Sequence, residues 1–269
     1  MGVEKYRISA RRADATGRRA PRGLRMYTET HRFYRYQHKT PKGWETFQVK
    51  HRETDLWIRA RRNLEVEATQ AALSCRLQLE QYIAAHADFL RSLEPLPDDP
   101  FAPPLVRQML SAGITAGVGP MASVAGAIAQ SVAAALRPLS DSVIVENGGD
   151  CFLDLREETT VGIFAGPESP FTGKIAVKLG AERFPTGICT SSGTVGHSLS
   201  FGKADAVTVI SPDAALADAA ATRLGNMVKT RADISRALDL APSIPSIEAV
   251  LIFIRDKMGA WGNIEIVAI

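Results

Sequence analysis

The chain has 269 residues, 45% of them hydrophobic, enough to bury a sizeable core in one large domain or two small ones. No apolar run approaches the ~20 residues of a membrane span, and the N-terminus lacks the charged-then-apolar order of a secretory signal. Three cysteines, Cys75, Cys151 and Cys189, stand without Cys-x-x-Cys spacing, which argues against a disulfide framework and points to a reducing, cytoplasmic setting without a membrane partner.

The net charge of +3 is unevenly placed: residues 1–52 carry 14 Lys/Arg against 4 Asp/Glu, and the remainder 18 against 25. Residues 1–25 are arginine-rich, poor in apolar residues and without period, and are expected to form a flexible basic arm. Such an arm can touch nucleic acid or an acidic surface, or simply complement the acidic body that follows.

The remainder, 26–269, is expected as a single domain. Its first part, 26–94, begins with aromatic and β-branched segments at Thr30–Gln37 and Trp44–His51, read as a hairpin across Lys39–Gly43. Residues 53–58 suggest a further strand. From Asn63 the apolar positions Leu64, Ala68, Ala71, Ala72, Cys75, Leu79 and Ile83 follow helical spacing, with order restarting near Ala84 and ending before Pro95. A proline-rich linker leads to the second part, 105–269.

That part opens with a helix from Pro104 to about Ala112, a Gly-rich apolar stretch, and a helix of very small residues over 120–136. The start of the second helix suits either a phosphate or close packing. Strands are expected at Ser142–Val145, Cys151–Leu155, Thr160–Phe164 and Lys174–Leu179, the first two joined by the turn Asn147-Gly148-Gly149-Asp150. So dense a run of strands after helices implies an α+β fold with antiparallel or mixed sheets packed with helices.

Residues 186–226 concentrate the chemistry. An apolar segment runs into Thr190-Ser191-Ser192-Gly193, where hydroxyls and backbone N–H groups suit an anion such as phosphate. His197 follows, then an alternating strand at Asp205–Ile210 and a helix capped by Ser211 or Asp213. On that helix Asp218 and Thr222 stand at i and i+4, so carboxylate and hydroxyl share one face among alanines. This oxygen pair suits Mg²⁺, which needs few protein ligands when a phosphate supplies others. A short helix at Arg231–Leu240 and strands at Val250–Ile254 and Ile264–Ile269, joined by Asp256–Asn263 as a hairpin, complete the chain. The loosely similar order of elements in the two halves raises an internal duplication, with no residue-level repeat to carry it.

Glu-Asn-Gly-Gly-Asp at 146–150, Gly-Ile-Phe-Ala-Gly at 162–166, Thr-Ser-Ser-Gly-Thr-Val-Gly-His-Ser at 190–198 and Ala-Asp-Ala-x-x-Thr at 217–222 together resemble the ApbE family, the FAD:protein FMN transferases. The chain looks most like an uncharacterised cytoplasmic branch of that superfamily, over roughly Ala112 to Asn226. The resemblance implies an ApbE-like α+β domain, FAD and Mg²⁺ as ligands, and an acceptor protein. It implies that Asn147, Gly148, Gly149 and Asp150, with Thr190, Ser191, Ser192 and Gly193, line the flavin ligand, that Asp218 and Thr222 hold the metal, and that His197 is the catalytic base. Two departures stand out: Ala125 and Gln130 replace the lysine and aspartate of the family's small-residue helix motif, and the Asp-Pro-x-Thr-Gly continuation after the histidine is missing. Two readings follow: a Mg²⁺-assisted flavin transferase, or a binding protein that keeps the pocket and docks a partner or nucleic acid.

Overall fold

The computed structural model describes residues 5–7, 42–166, 169–193 and 201–269. The expected strand at 30–37 and His197 lie outside these described residues. Lys5–Arg7 is a short strand, β1; the rest of the 1–25 segment is likewise outside them.

Alternating residues over Glu45–His51 (β2) and Thr54–Ala60 (β3) pair antiparallel through a two-residue turn, Arg52-Glu53. The periodic apolar positions of the next segment fold as helix Glu65–Ala85 (α1). A break at His86 starts the short helix Ala87–Arg91 (α2). The third helix, Pro104–Ala116 (α3), passes through Gly113 and stops only at Gly117, whose φ of 72° ends it. Its expected end at Ala112 was too early because Gly113 is needed for close packing: a Cβ there would lie 2.8 Å from the Val118 carbonyl oxygen. A 3₁₀ turn at Pro120–Ser123 then leads into Val124–Leu136 (α4).

Six strands follow, with one 3₁₀ turn at Ala181–Arg183 among them: Val143–Asn147 (β4), Asp150–Asp154 (β5), Thr159–Gly162 (β6), Ile175–Leu179 (β7), Thr186–Ser191 (β8) and Ala206–Ser211 (β9). After Ala214–Met227 (α5) and Asp233–Leu240 (α6) come Ala249–Ile254 (β10), Lys257–Gly262 (β11) and Glu265–Ala268 (β12). The expected terminal hairpin is thereby corrected. Residues 257–262 are not its loop but a strand paired with β10, and β12 leaves to pair with β7. The glycines that suggested a loop have a packing reason, since a Cβ on Gly259 would meet the Ile234 side chain of α6 at 2.4 Å.

β2–β5 and β8–β11 form one eight-stranded sheet in the order β11-β10-β9-β8-β5-β4-β3-β2, with every pairing antiparallel. Each half reads strand–strand–helices–strand–strand. A four-stranded sheet, β1-β6-β7-β12, includes one parallel pairing, between β1 and β6. The period of two sends Val143, Val145, Val207, Val209, Val250 and Ile252 to the helix layer. Ile144, Leu153, Ile188, Ile210, Leu251 and Phe253 go to the small sheet with Val161, Val177 and Leu179. The result is an α+β fold of three layers, helices, large sheet and small sheet, with two cores. Among the described residues no single helix is long and apolar enough to cross a membrane, and the three cysteines are free and buried.

Candidate ligand and metal site

α5 begins over the large sheet with its first N–H groups satisfied by side chains. Asp213 accepts from Ala215 N at 2.9 Å and Leu216 N at 3.4 Å, and Gln130 of α4 accepts from Ala214 N at 2.7 Å. Alanines fill the next turns, all fully buried from Ala219 to Ala221, and allow α4 and α5 to touch through their backbones. A Cβ on Gly126 would lie 2.1 Å from the Ala214 carbonyl oxygen.

At this contact the Asp218 carboxylate accepts the Gly126 N–H at 3.0 Å. Ser123, the residue at the N-cap of α4, makes no side-chain capping bond, so Asp218 caps α4 from the neighbouring helix. Gly126 meets Ala214 and Asp218, and Gln130 meets Ala214, so the helices run antiparallel and each caps the other. Close packing, not an anion, thus occupies the start of α4. Thr222, one turn beyond Asp218 on the same face, is half-buried.

The hairpin turn between β4 and β5 reaches this contact from the sheet. Gly148 and Gly149 hold φ of 73° and 119°, the backbone that a two-residue antiparallel connection requires. Asn147 Nδ2 donates to the Ala125 carbonyl at 3.2 Å, and Gly149 N donates to Glu146 at 3.2 Å. A Cβ on Gly149 would meet nothing nearer than the Thr190 oxygen at 3.9 Å, so φ and not crowding requires glycine here. Asp150, 8% exposed, accepts from Thr190 N at 3.1 Å, and the Thr190 hydroxyl bonds the Thr208 hydroxyl at 2.9 Å. Ser191 faces α5 at Gly225, its Oγ 3.6 Å from a Cβ placed there. Gly193 donates its N–H to Ala204 at 2.9 Å.

The structure therefore brings Asn147–Asp150, Thr190, Ser191 and the Asp218–Thr222 face to one end of the large sheet. His197 is outside the described residues. Cys189 and Glu146, which the sequence did not single out as site residues, lie at the same place. The strand alternation, which sends Cys189 to the helix side beside Asp150, is the signal that would have found the first.

Two acidic groups dominate the electrostatics. Burial pushes the Asp150 carboxyl well above the usual range, and the neighbouring Asp218 charge adds to this. Burial also lifts Asp218 up to about 7, against the N–H groups of Gly126 and Ala125, which favour its ionised form. Part of the Asp218 surface stays open to solvent, while the deep walls of α4, α5 and the sheet keep it poorly hydrated. Burial raises the Cys189 thiol too, with the two carboxylates contributing, and its Sγ lies 3.3 Å from the Ala214 carbonyl. No cationic side chain among the described residues pairs with Asp150 or Asp218.

Two enclosed carboxylates without a counter-charge are unfavourable unless one is protonated or a cation joins them. Among the described residues no group of three His, Cys, Asp or Glu side chains could hold a metal ion. A cation here would take the Asp218 carboxylate, the Thr222 hydroxyl, backbone carbonyls, and oxygens from water or a ligand. That donor set fits Mg²⁺, a hard ion that keeps waters and accepts phosphate oxygens.

A family model described as AbpE bacteria matches residues 37–243. The chain is 43% identical over 203 residues to a UPF0280 protein of Methanocaldococcus jannaschii, covering 74% of this chain and 82% of that protein. It is 43% identical over 190 residues to a UPF0280 protein of Methanocella arvoryzae, covering 70% and 77%. Its fold is similar to that of the Pseudomonas stutzeri flavinyl transferase ApbE in its apo form, with a TM-score of 0.52 and 14% identity, covering 81% of this chain and 94% of that one. The ApbE protein of Thermotoga maritima aligns with a TM-score of 0.50 and 12% identity, covering 78% and 94%. At such identities the likeness to these solved structures is one of fold.

Proposed function

The chain belongs to the AbpE bacteria family, and from that premise we propose that it binds a flavin dinucleotide with Mg²⁺ and transfers FMN, or another nucleotidyl group, from FAD to an acceptor protein. The observation that carries this reading is the enclosed pair Asp150 and Asp218, without a cationic partner among the described residues. The fold of the chain is similar to that of the Pseudomonas stutzeri flavinyl transferase, which supports the class of ligand. We place its action in the cytoplasm, where three free buried cysteines are at home.

In this reading Asp218 and Thr222 hold the metal together with backbone carbonyls. Mg²⁺, when bound, neutralises pyrophosphate charge as a P–O bond breaks. The Asn147–Asp150 turn and Thr190, Ser191, Ser192 and Gly193 hold the dinucleotide. His197 takes the proton of the acceptor hydroxyl as that oxygen bonds to the FMN phosphorus and AMP departs.

Gln130 supports a second reading. Its carbonyl oxygen is committed to the first N–H of α5, so it serves the helix pair where the family resemblance would place an acidic group for the ligand. That commitment favours binding without transfer.

Release of AMP from FAD, with water standing in for the acceptor, separates the two. Transfer chemistry predicts slow AMP release that needs Mg²⁺ and is lost in His197→Ala. Bound but intact FAD supports the second reading, and FAD neither bound nor cleaved contradicts both.

A further inference from the structure

A second cleft, of about 560 Å³, lies at the far end of α4 from Asp218 and is lined by Gln130, Arg137, Pro138, Phe152, Asp154 and Pro185 among others. β5 runs from Asp150 at the first site to Asp154 at this one, a separation on the order of 13 Å for a five-residue strand. The volume falls within the range of small-molecule sites, roughly 300–1,000 Å³.

The protein's own bonds fix the polar groups of this cleft. Gln130 Oε1 accepts the Ala214 N–H at 2.7 Å, which turns its NH₂ group away from the start of α5. Arg137 donates from Nε to Asp154 Oδ2 and from Nη1 to the Ser140 carbonyl at 2.9 Å. Among the described residues no hydrogen bond engages Gln130 Nε2, Arg137 Nη2 or Asp154 Oδ1. Two donors and one acceptor are thus left in a cleft whose two charges cancel and which Phe152 and two prolines also line.

Charge balance disfavours a phosphate or an amine as the ligand, and an aromatic ring with two prolines in the lining favours a planar ring. Two donors beside a carboxylate oxygen complement a ring edge that carries carbonyl oxygens next to an N–H. We propose that this cleft binds the cyclic imide edge of a planar heterocycle, an edge that uracil-type bases and flavins share. Carbonyl oxygens accept from Gln130 and Arg137, and the ring N–H donates to Asp154. The site is separate from the metal site and needs no divalent ion.

The test is titration of the full chain, free of divalent ions, with uridine and with riboflavin, and with the N3-methyl counterpart of each. The expected result is saturable one-to-one binding of at least one imide, weakened at least tenfold by N3-methylation. Ala134→Trp, at an exposed position of α4 that lines the cleft, should abolish it and leave the Arg137–Asp154 pair in place. Binding of uridine alone identifies a nucleobase ligand, and binding of riboflavin, alone or with uridine, a flavin. Failure of both imides to bind overturns the proposal, as does equal binding of the methylated forms or survival in Ala134→Trp.

Discussion

Asp218 of α5 accepts the Gly126 N–H of α4 at 3.0 Å, so the residue proposed to hold the metal is also the cap of the neighbouring helix. The two roles are compatible because a carboxylate has two oxygens and about four lone-pair sites: Oδ2 takes the Gly126 N–H, and lone pairs remain for a cation. They are separable by mutation. Asparagine keeps an oxygen for Gly126 and loses the charge, whereas alanine loses both.

Asp218→Ala should therefore be less stable than Asp218→Asn by about 1 kcal/mol, the usual cost of deleting a helix cap. Asp218→Asn should match or exceed the natural protein without divalent ions, because it removes one of two crowded charges. Denaturant unfolding in EDTA checks the order; asparagine less stable than alanine would show that the cap is not what the side chain contributes.

Acid and base should act on the pair in a defined direction. The folded Asp218 carboxyl titrates at about 7 against an ordinary 3.8, and Asp150 is displaced the same way. The folded chain thus holds extra protons between those values. The associated stabilisation is complete below pH 3.8 and is lost as pH rises through 7. Asp233, Glu53 and Asp99 are shifted down and work in the opposite sense, so the informative quantity is a difference. Stability of the natural protein minus that of Asp218→Asn should fall from pH 4 to pH 7.5. Parallel profiles would refute the enclosed pair.

The helix contact itself can be probed from α4. Gly126→Ala places a methyl 2.1 Å from the Ala214 oxygen, forcing backbones apart at a cost of about 1–3 kcal/mol. Gln130→Ala uncaps α5 at Ala214 and should cost about 1 kcal/mol. Chemical denaturation measures both; a neutral Gly126→Ala would mean that α4 and α5 do not meet at this point.

Much of this was legible in the sequence for physical reasons. The apolar run at 142–145, the alternation over 205–210 and period 3.6 in 64–83 located strands and helix, and the i, i+4 spacing placed Asp218 and Thr222 on one face. The misreadings have a common cause in glycine. Gly113 and Gly259 look like breakers, yet each is there because a neighbour leaves no room for a side chain, and such tertiary crowding leaves no local signal. The Asp150–Asp218 pair was invisible for a related reason. The residues are 68 positions apart, and only the stacking of α4 and α5 on β5 and β8 brings their charges together.

Whether Asp218 holds a cation against a bound dinucleotide is read by calorimetric titration of FAD into the natural protein and Asp218→Asn, each with and without Mg²⁺. Linkage requires Mg²⁺ and FAD to tighten one another by the same factor. Mg²⁺ should strengthen FAD binding at least tenfold in the natural protein and leave the asparagine variant near its metal-free affinity. Equal FAD affinity in all four titrations, or no binding in any of them, would contradict the account.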